Sequence, residues 1–133
     1  MVLKLAEAKK IIDGAIAKAR ELKVEVSVAV CDHEGRVIAL NRMDGVSVVD
    51  ASRSAIGKAI ASAAWGVPSD EAKDRANRGR TTGTAIGEGM PVIRSRGGLP
   101  IRRDDIVEGA CGVSGANDLS EDEECARAGL AAL

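Results

Sequence analysis

VEVSVAVCDHEGRVIALNRMDG, residues 24–45, sets Val24, Val26, Val28 and Val30 in alternation with Glu25, Ser27, Ala29 and Cys31. A period of two is the signature of a strand with one face on a core. Asp32-His33-Glu34-Gly35 follows with turn chemistry, since Asp can bond its own backbone and Gly can take a positive φ. Arg36 to Met43 then returns as a second, antiparallel strand. A two-stranded hairpin this apolar is not stable alone in water, so the segments on either side must cover it.

The whole chain, residues 1–133, is of a size for a single domain, enough to bury roughly two thirds of the surface of the unfolded chain. Its apolar content rules out disorder. Trp65 is the only aromatic residue, so the core is built from Val, Ile, Leu and Ala. Recognition by stacking on aromatic rings is excluded with them, and single-stranded nucleic acid is not an expected partner.

The net charge of −1 hides two blocks. Residues 73–103 carry eight basic side chains against Asp74 and Glu88, whereas residues 104–133 carry eight acidic ones against Arg127. Such blocks can pair within a subunit, pair between subunits or form an anion site beside an acidic face. Lys4, Glu7, Lys9 and Lys10 interrupt the first residues, leaving neither a signal-type apolar region nor a membrane span. A cytoplasmic protein without a membrane partner is expected. Cys31, Cys111 and Cys125 are odd in number and widely spaced, as buried thiols are and disulfide or zinc frameworks are not.

Around the hairpin, Leu5, Ala8, Ile11, Ile12, Ala15, Ile16, Ala19 and Leu22 recur at helical spacing, predicting an amphipathic helix laid on the sheet. Gly14 inside it implies close approach to a neighbour. Val49 to Trp65 predicts a second helix with Val49, Ser52, Ile56, Ala59, Ile60 and Ala63 on its inner face. It is rich in small residues, which suits tight packing, a subunit contact or a flat ligand. Ser69 opens a short polar helix to about Arg78. The glycines between 79 and 98 match neither nucleotide-loop spacing. Met90 to Ile93 and Leu99 to Arg102 read as short strands, and Ile106 to Val113 as a central strand. Ser120 with Glu123 predicts the capping box of a last helix. The order gives an α+β fold.

LAEAKKIIDGAIAKARE, VSVAVCDHEGRVIALNRMDG, SAIGKAIASAAWG, GGLPI, GACGVSG and DEECARAGLAAL, in this order over nearly the whole chain, resemble the GlcG/HbpS-like haem-binding (haem-degrading) family. The resemblance implies a profilin-like sandwich, an antiparallel sheet of about five strands flanked by helices, and assembly into homo-oligomers. It implies haem as a cofactor or substrate in some members and an accessory role in small-molecule catabolism in others. Arg42-Met43-Asp44-Gly45, Lys58, Gly97-Gly98-Leu99-Pro100 and Gly112-Val113-Ser114-Gly115 match the family's pattern. Family members often place His after the hairpin glycine, where this chain has Arg36.

The candidate ligand-binding residues are therefore Arg42, Met43, Asp44, Lys58, Arg94, Arg96, Gly97 and Gly98, with Arg42, Arg94 and Arg96 suited to carboxylates such as haem propionates. His33 and Met43 are the candidate iron ligands, with Met90, Cys31 and Cys111 behind them. Asp32, Asp44 and Lys58 are the candidate acid/base groups. No nucleophile–base–orienter set suggests a hydrolase, and Asp32, His33 and Glu34, adjacent on one turn, cannot close a metal site alone. Three functions follow: a haem-binding protein with or without slow haem degradation, an enzyme or binding module for a small anionic metabolite, and a structural oligomerising subunit.

Overall fold

The structure is a computed structural model that describes residues 2–74 and 91–133. The elements run α1 (Leu5–Leu22), β1 (Ser27–Asp32), β2 (Val37–Arg42), α2 (Ala51–Trp65), a 3-10 turn (Ser69–Asp74), β3 (Gly98–Arg103), β4 (Ile106–Ser114) and α3 (Leu119–Ala131). The strands form an antiparallel sheet in the order β2-β1-β4-β3. The resemblance implies about five strands; among the described residues there are four. Residues 91–93 form no strand: Ile93 donates its N–H to the Gly57 carbonyl on α2 instead. Met90 and the glycines at 79–89 lie outside the described residues, as does the expected polar helix beyond Asp74.

Alternation in β1 predicted one buried face, and both are buried. Val26, Val28 and Val30 join Ile11, Ile12, Ala15, Leu99, Ile101, Val113 and Cys125 in the main core, under α1 and α3. Each of the Val, Leu and Ile side chains contributes roughly 1.5–3 kcal/mol by leaving water. The opposite face, Ser27, Ala29 and Cys31, is covered by α2, with the Ser27 and Ser52 hydroxyls 3.0 Å apart. Small side chains on both sides make this contact close. A Cβ at Gly112 would lie 2.0 Å from the Ala55 carbonyl oxygen, and one at Gly98 2.4 Å from that of Lys58. The small-residue content of α2 thus serves helix-on-sheet packing.

Of the predicted inner face, Ala59, Ile60 and Ala63 are buried and Ser52 meets Ser27 of β1, joined by Ala51, Ala55 and Ser62, whereas Ile56 is half-buried and Val49 lies outside the helix, exposed. Apolar periodicity missed Ala51 and Ala55 because alanine, not the larger aliphatics, fits the gap to Gly112. Gly14 behaves as expected: a Cβ there would lie 2.8 Å from that of Ala132, where α1 packs on α3. The cap of α3 is Asp118, whose carboxylate accepts from the N–H and hydroxyl of Ser120, both at 2.8 Å. Glu123 instead pairs with Arg96. The charge blocks meet inside one subunit, through Arg96–Glu123 and Arg103–Glu108, with Glu7 of α1 on the second face of Arg103. Among the described residues no helix is long and apolar enough to cross a membrane.

Candidate functional site

The hairpin exit opens into a groove. The last turns of α1 supply Ile16 and Arg20, the link to β1 supplies Glu25, and Leu40, Asn41, Arg42, Met43 and Asp44 close the other side, around a volume of about 680 Å³. That is a size used for small organic ligands. The groove lies at the edge of the sheet, since β2 is an edge strand and α2 packs mainly on β1 and β4. Met43 fixes the exit, since its N–H donates to the Val26 carbonyl at 3.0 Å and its Sδ accepts from the Val26 N–H at 3.4 Å. Its side chain packs on the main core. The charged groups stand differently: Arg20, Glu25, Arg42 and Asp44 have no side-chain partner among the described residues.

Lys58 and Asp122 form the opposite kind of cluster. Each is almost wholly buried, at 1% and 2% exposure. Lys58 Nζ donates to the Val113 carbonyl at 2.9 Å and to Asp122 Oδ2 at 3.1 Å, while Asp122 Oδ1 accepts the Ala116 N–H at 3.1 Å. A Cβ at Gly97 would sit 2.9 Å from Nζ and 2.6 Å from the Val113 oxygen. Burial pushes the Lys58 ammonium below its ordinary value, against the pull of Asp122, and pushes the Asp122 carboxyl up, against Lys58 and the Ala116 N–H. The pair joins α2, the end of β4 and the first turn of α3, and leaves no room for a substrate at Nζ.

The candidate residues are therefore divided. Arg42, Met43 and Asp44 share the groove; Lys58, Gly97 and Gly98 share the closed cluster; Arg96 lies beside the latter, held by Glu123. Arg94 lies over the Trp65 ring at 5.2 Å. Asp32 holds the hairpin turn, accepting from the N–H groups of Glu34 and Arg36 and from the Arg36 guanidinium at 2.8–2.9 Å. Burial acts to raise its carboxyl, but these bonds outweigh it and keep Asp32 below the usual carboxylate range. Arg20, Glu25, Ile16, Leu40 and Asn41 were not legible as site residues. One signal was present: Ile16 and Arg20 stand four apart, and so on one helix face.

Haem, which the resemblance implies, can be tested against these residues. Arg20 and Arg42 suit its two carboxylates. Its iron finds no donor in the groove among the described residues. His33 is exposed on the turn at the other end of the hairpin, roughly 20 Å away by strand rise, and lies near Glu34. The Met43 sulfur is turned inward onto Val26. Burial pushes the Cys31 and Cys125 thiols up to about 12 and Cys111 higher still, so none is a thiolate near neutral pH. Met90 lies outside the described residues.

A family model described as haem degrading protein HbpS-like matches residues 3–131. The chain belongs to this family. Among curated proteins, an uncharacterised 15.0 kDa protein from the dhaT–dhaS intergenic region of Citrobacter freundii is 33% identical over 112 residues, 84% of this chain and 78% of the relative. Among solved structures, a Streptomyces reticuli HbpS double mutant superposes with a TM-score of 0.84 at 29% identity, over 100% of this chain and 88% of that one. A PduOC:haem complex superposes with a TM-score of 0.82 at 26% identity, over 100% and 96%. The HbpS-like fold expected from the resemblance is thus the fold observed.

Proposed function

We propose that this HbpS-like chain binds haem at the hairpin-exit groove, gripping the two propionates through Arg20 and Arg42. The observation that carries the reading is that Arg20 and Arg42 both line this groove and neither has a carboxylate partner among the described residues. Family membership and the haem complex of PduOC support the choice of ligand. Bound haem brings a redox-active iron; the chain's own residues supply charge and shape. Arg20 and Arg42 fix the carboxylates by charge-assisted hydrogen bonds, and Ile16, Leu40 and Met43 offer apolar contact to the ring edge.

A second reading is favoured by Asn41 and the open, polar rim: a small carboxylate metabolite in the same place, held by the same arginines.

Haemin titration of the purified protein, followed at the Soret band, tests the proposal. Saturable binding is expected, weakened roughly fivefold to tenfold by Arg20→Ala or Arg42→Ala. His33→Ala and Met43→Leu should leave the band position unchanged. Binding indifferent to both arginines would overturn the groove as the haem site.

A further inference from the structure

Among the described residues the outer strands of the sheet are β2 and β3, and their free edges are built differently. Just before β3 the Gly97 carbonyl accepts the Val113 N–H, so by alternation Leu99 bonds inward to β4 and Pro100 faces outward, where it has no N–H to give. A proline so placed, followed by Arg102 and Arg103, keeps an edge from pairing. The β2 edge has neither. Met43 donates its N–H inward to Val26, so Asn41 and Ala39 also bond inward, and Leu40 and Arg42 present N–H and C=O to the outside. The bulge at Val30–Cys31 lies toward the turn and leaves Ala39 to Arg42 in regular register. From Val37 to Asn41 the strand carries no charge, and Val37 and Leu40 are exposed.

We propose that β2 pairs with β2 of a second copy of this chain, antiparallel, about a two-fold axis at Leu40. The two Leu40 residues then exchange N–H···O=C bonds, and their side chains meet on the face of the sheet that carries Ala29. Charge selects this register over its neighbours. Leu40 stands midway between Arg36 and Asp44, so Arg36 of each copy comes beside Asp44 of the other. Asp44 has no partner of its own among the described residues, and the Arg36 side chain stays exposed beyond its bond to Asp32. An axis at Ala39 would set Arg36 against Arg42, and one at Asn41 would leave it beside Val46. Unlike charges across a strand pair favour a register and like charges disfavour it. Because the axis is normal to the sheet, both α1 helices stay on one face and each groove keeps its own Ile16 and Arg20; the inference stands apart from the haem reading.

Leu40→Cys tests the axis directly, since the Cα atoms of such a hydrogen-bonded pair stand roughly 5.5 Å apart, within the span of a disulfide. Mild oxidation should link Leu40→Cys into a covalent dimer on a non-reducing gel, whereas Val37→Cys and the wild type, whose own cysteines are buried, should stay unlinked. In sedimentation equilibrium the wild type should run as a dimer or a multiple of one. Leu40→Lys, shown by circular dichroism to be folded, should weaken that association at least about tenfold. A wild type that is monomeric throughout the micromolar range overturns the pairing. So does an assembly that Leu40→Lys does not weaken and Leu40→Cys does not link, which would place the contact elsewhere. Linkage at Val37→Cys equal to that at Leu40→Cys overturns the register.

Discussion

Two groups of charged residues sit at the same end of the sheet. In register, Arg42 lies opposite Ser27, Ser27 opposite Ser114, and the neighbouring Val113 accepts from Lys58. The Lys58–Asp122 group is sealed, and its polar atoms are supplied by the chain itself. The groove group is open, and its four charges are left without such partners. Both carry residues that the resemblance singles out, and that alone does not separate a structural role from a binding one. What separates them is whether the fold has already satisfied the charge. A buried ammonium with two acceptors at hydrogen-bond distance has its bonding used in holding three elements together. An unpaired guanidinium on a concave surface has it free for a ligand.

The sharpest way to break this contrast is to remove one member of the sealed pair. Lys58→Met leaves the Asp122 carboxylate buried with the Ala116 N–H alone, and Asp122→Leu leaves an ammonium facing one carbonyl. Orphaning a buried charge costs about 3–5 kcal/mol, a large part of the stability of a domain this size. Urea unfolding should show that loss for each single variant. The double variant, with no charge left to bury, should recover a substantial part of it. Full stability in both single variants would mean that the pair does not clamp the elements.

The hairpin, the amphipathic α1 and the strand through Gly112 were legible because apolar alternation and helical spacing report directly on burial. The closed cluster was legible only as a set of residues. Lys58 lies in a run of small residues that reads as a packed helix, and nothing in its neighbours announces that its ammonium is buried. Its partner Asp122, 64 positions on, reads as a first-turn acid complementing a helix dipole. The inner face of α2 was legible only in part for a related reason, since periodicity weights large side chains and much of this interface is made by alanine and glycine. The groove was half legible: the hairpin exit is in the sequence pattern, but the return of α1 over it depends on tertiary packing.

A middle case sharpens the contrast. Arg103 is half-exposed and bridges Glu7 of α1 to Glu108 of β4, so its charge is satisfied but not sealed. The Arg103 guanidinium, then the Lys4 N–H, hold the Glu7 carboxyl down to about 2, and Arg103 lowers Glu108 too. A carboxyl lowered in the folded state adds stability above its unfolded value and loses it as pH falls through the folded one. For Glu7 that window runs from about 4.5 down to about 2. Arg103→Gln should therefore destabilise the protein near neutral pH, and the gap to wild type should narrow as the urea midpoint is followed downward through this window. A gap constant with pH would mean that the bridge stabilises by packing alone.

The smallest expected effect is on the stability of the groove variants, and it is the one that gives the comparison its meaning. Arg20 and Arg42 are exposed and have no polar partner among the described residues, so alanine at either position removes no hydrogen bond or ion pair of the folded state. Exposed substitutions of this kind usually stay within about 0.5 kcal/mol. Arg20→Ala and Arg42→Ala should accordingly unfold at the urea concentration of the wild type while losing affinity for haemin. A protein that keeps its stability and loses its ligand places those charges in binding. A loss of several kcal/mol would instead put the groove in the same class as Lys58 and Asp122, with its charges engaged by the fold.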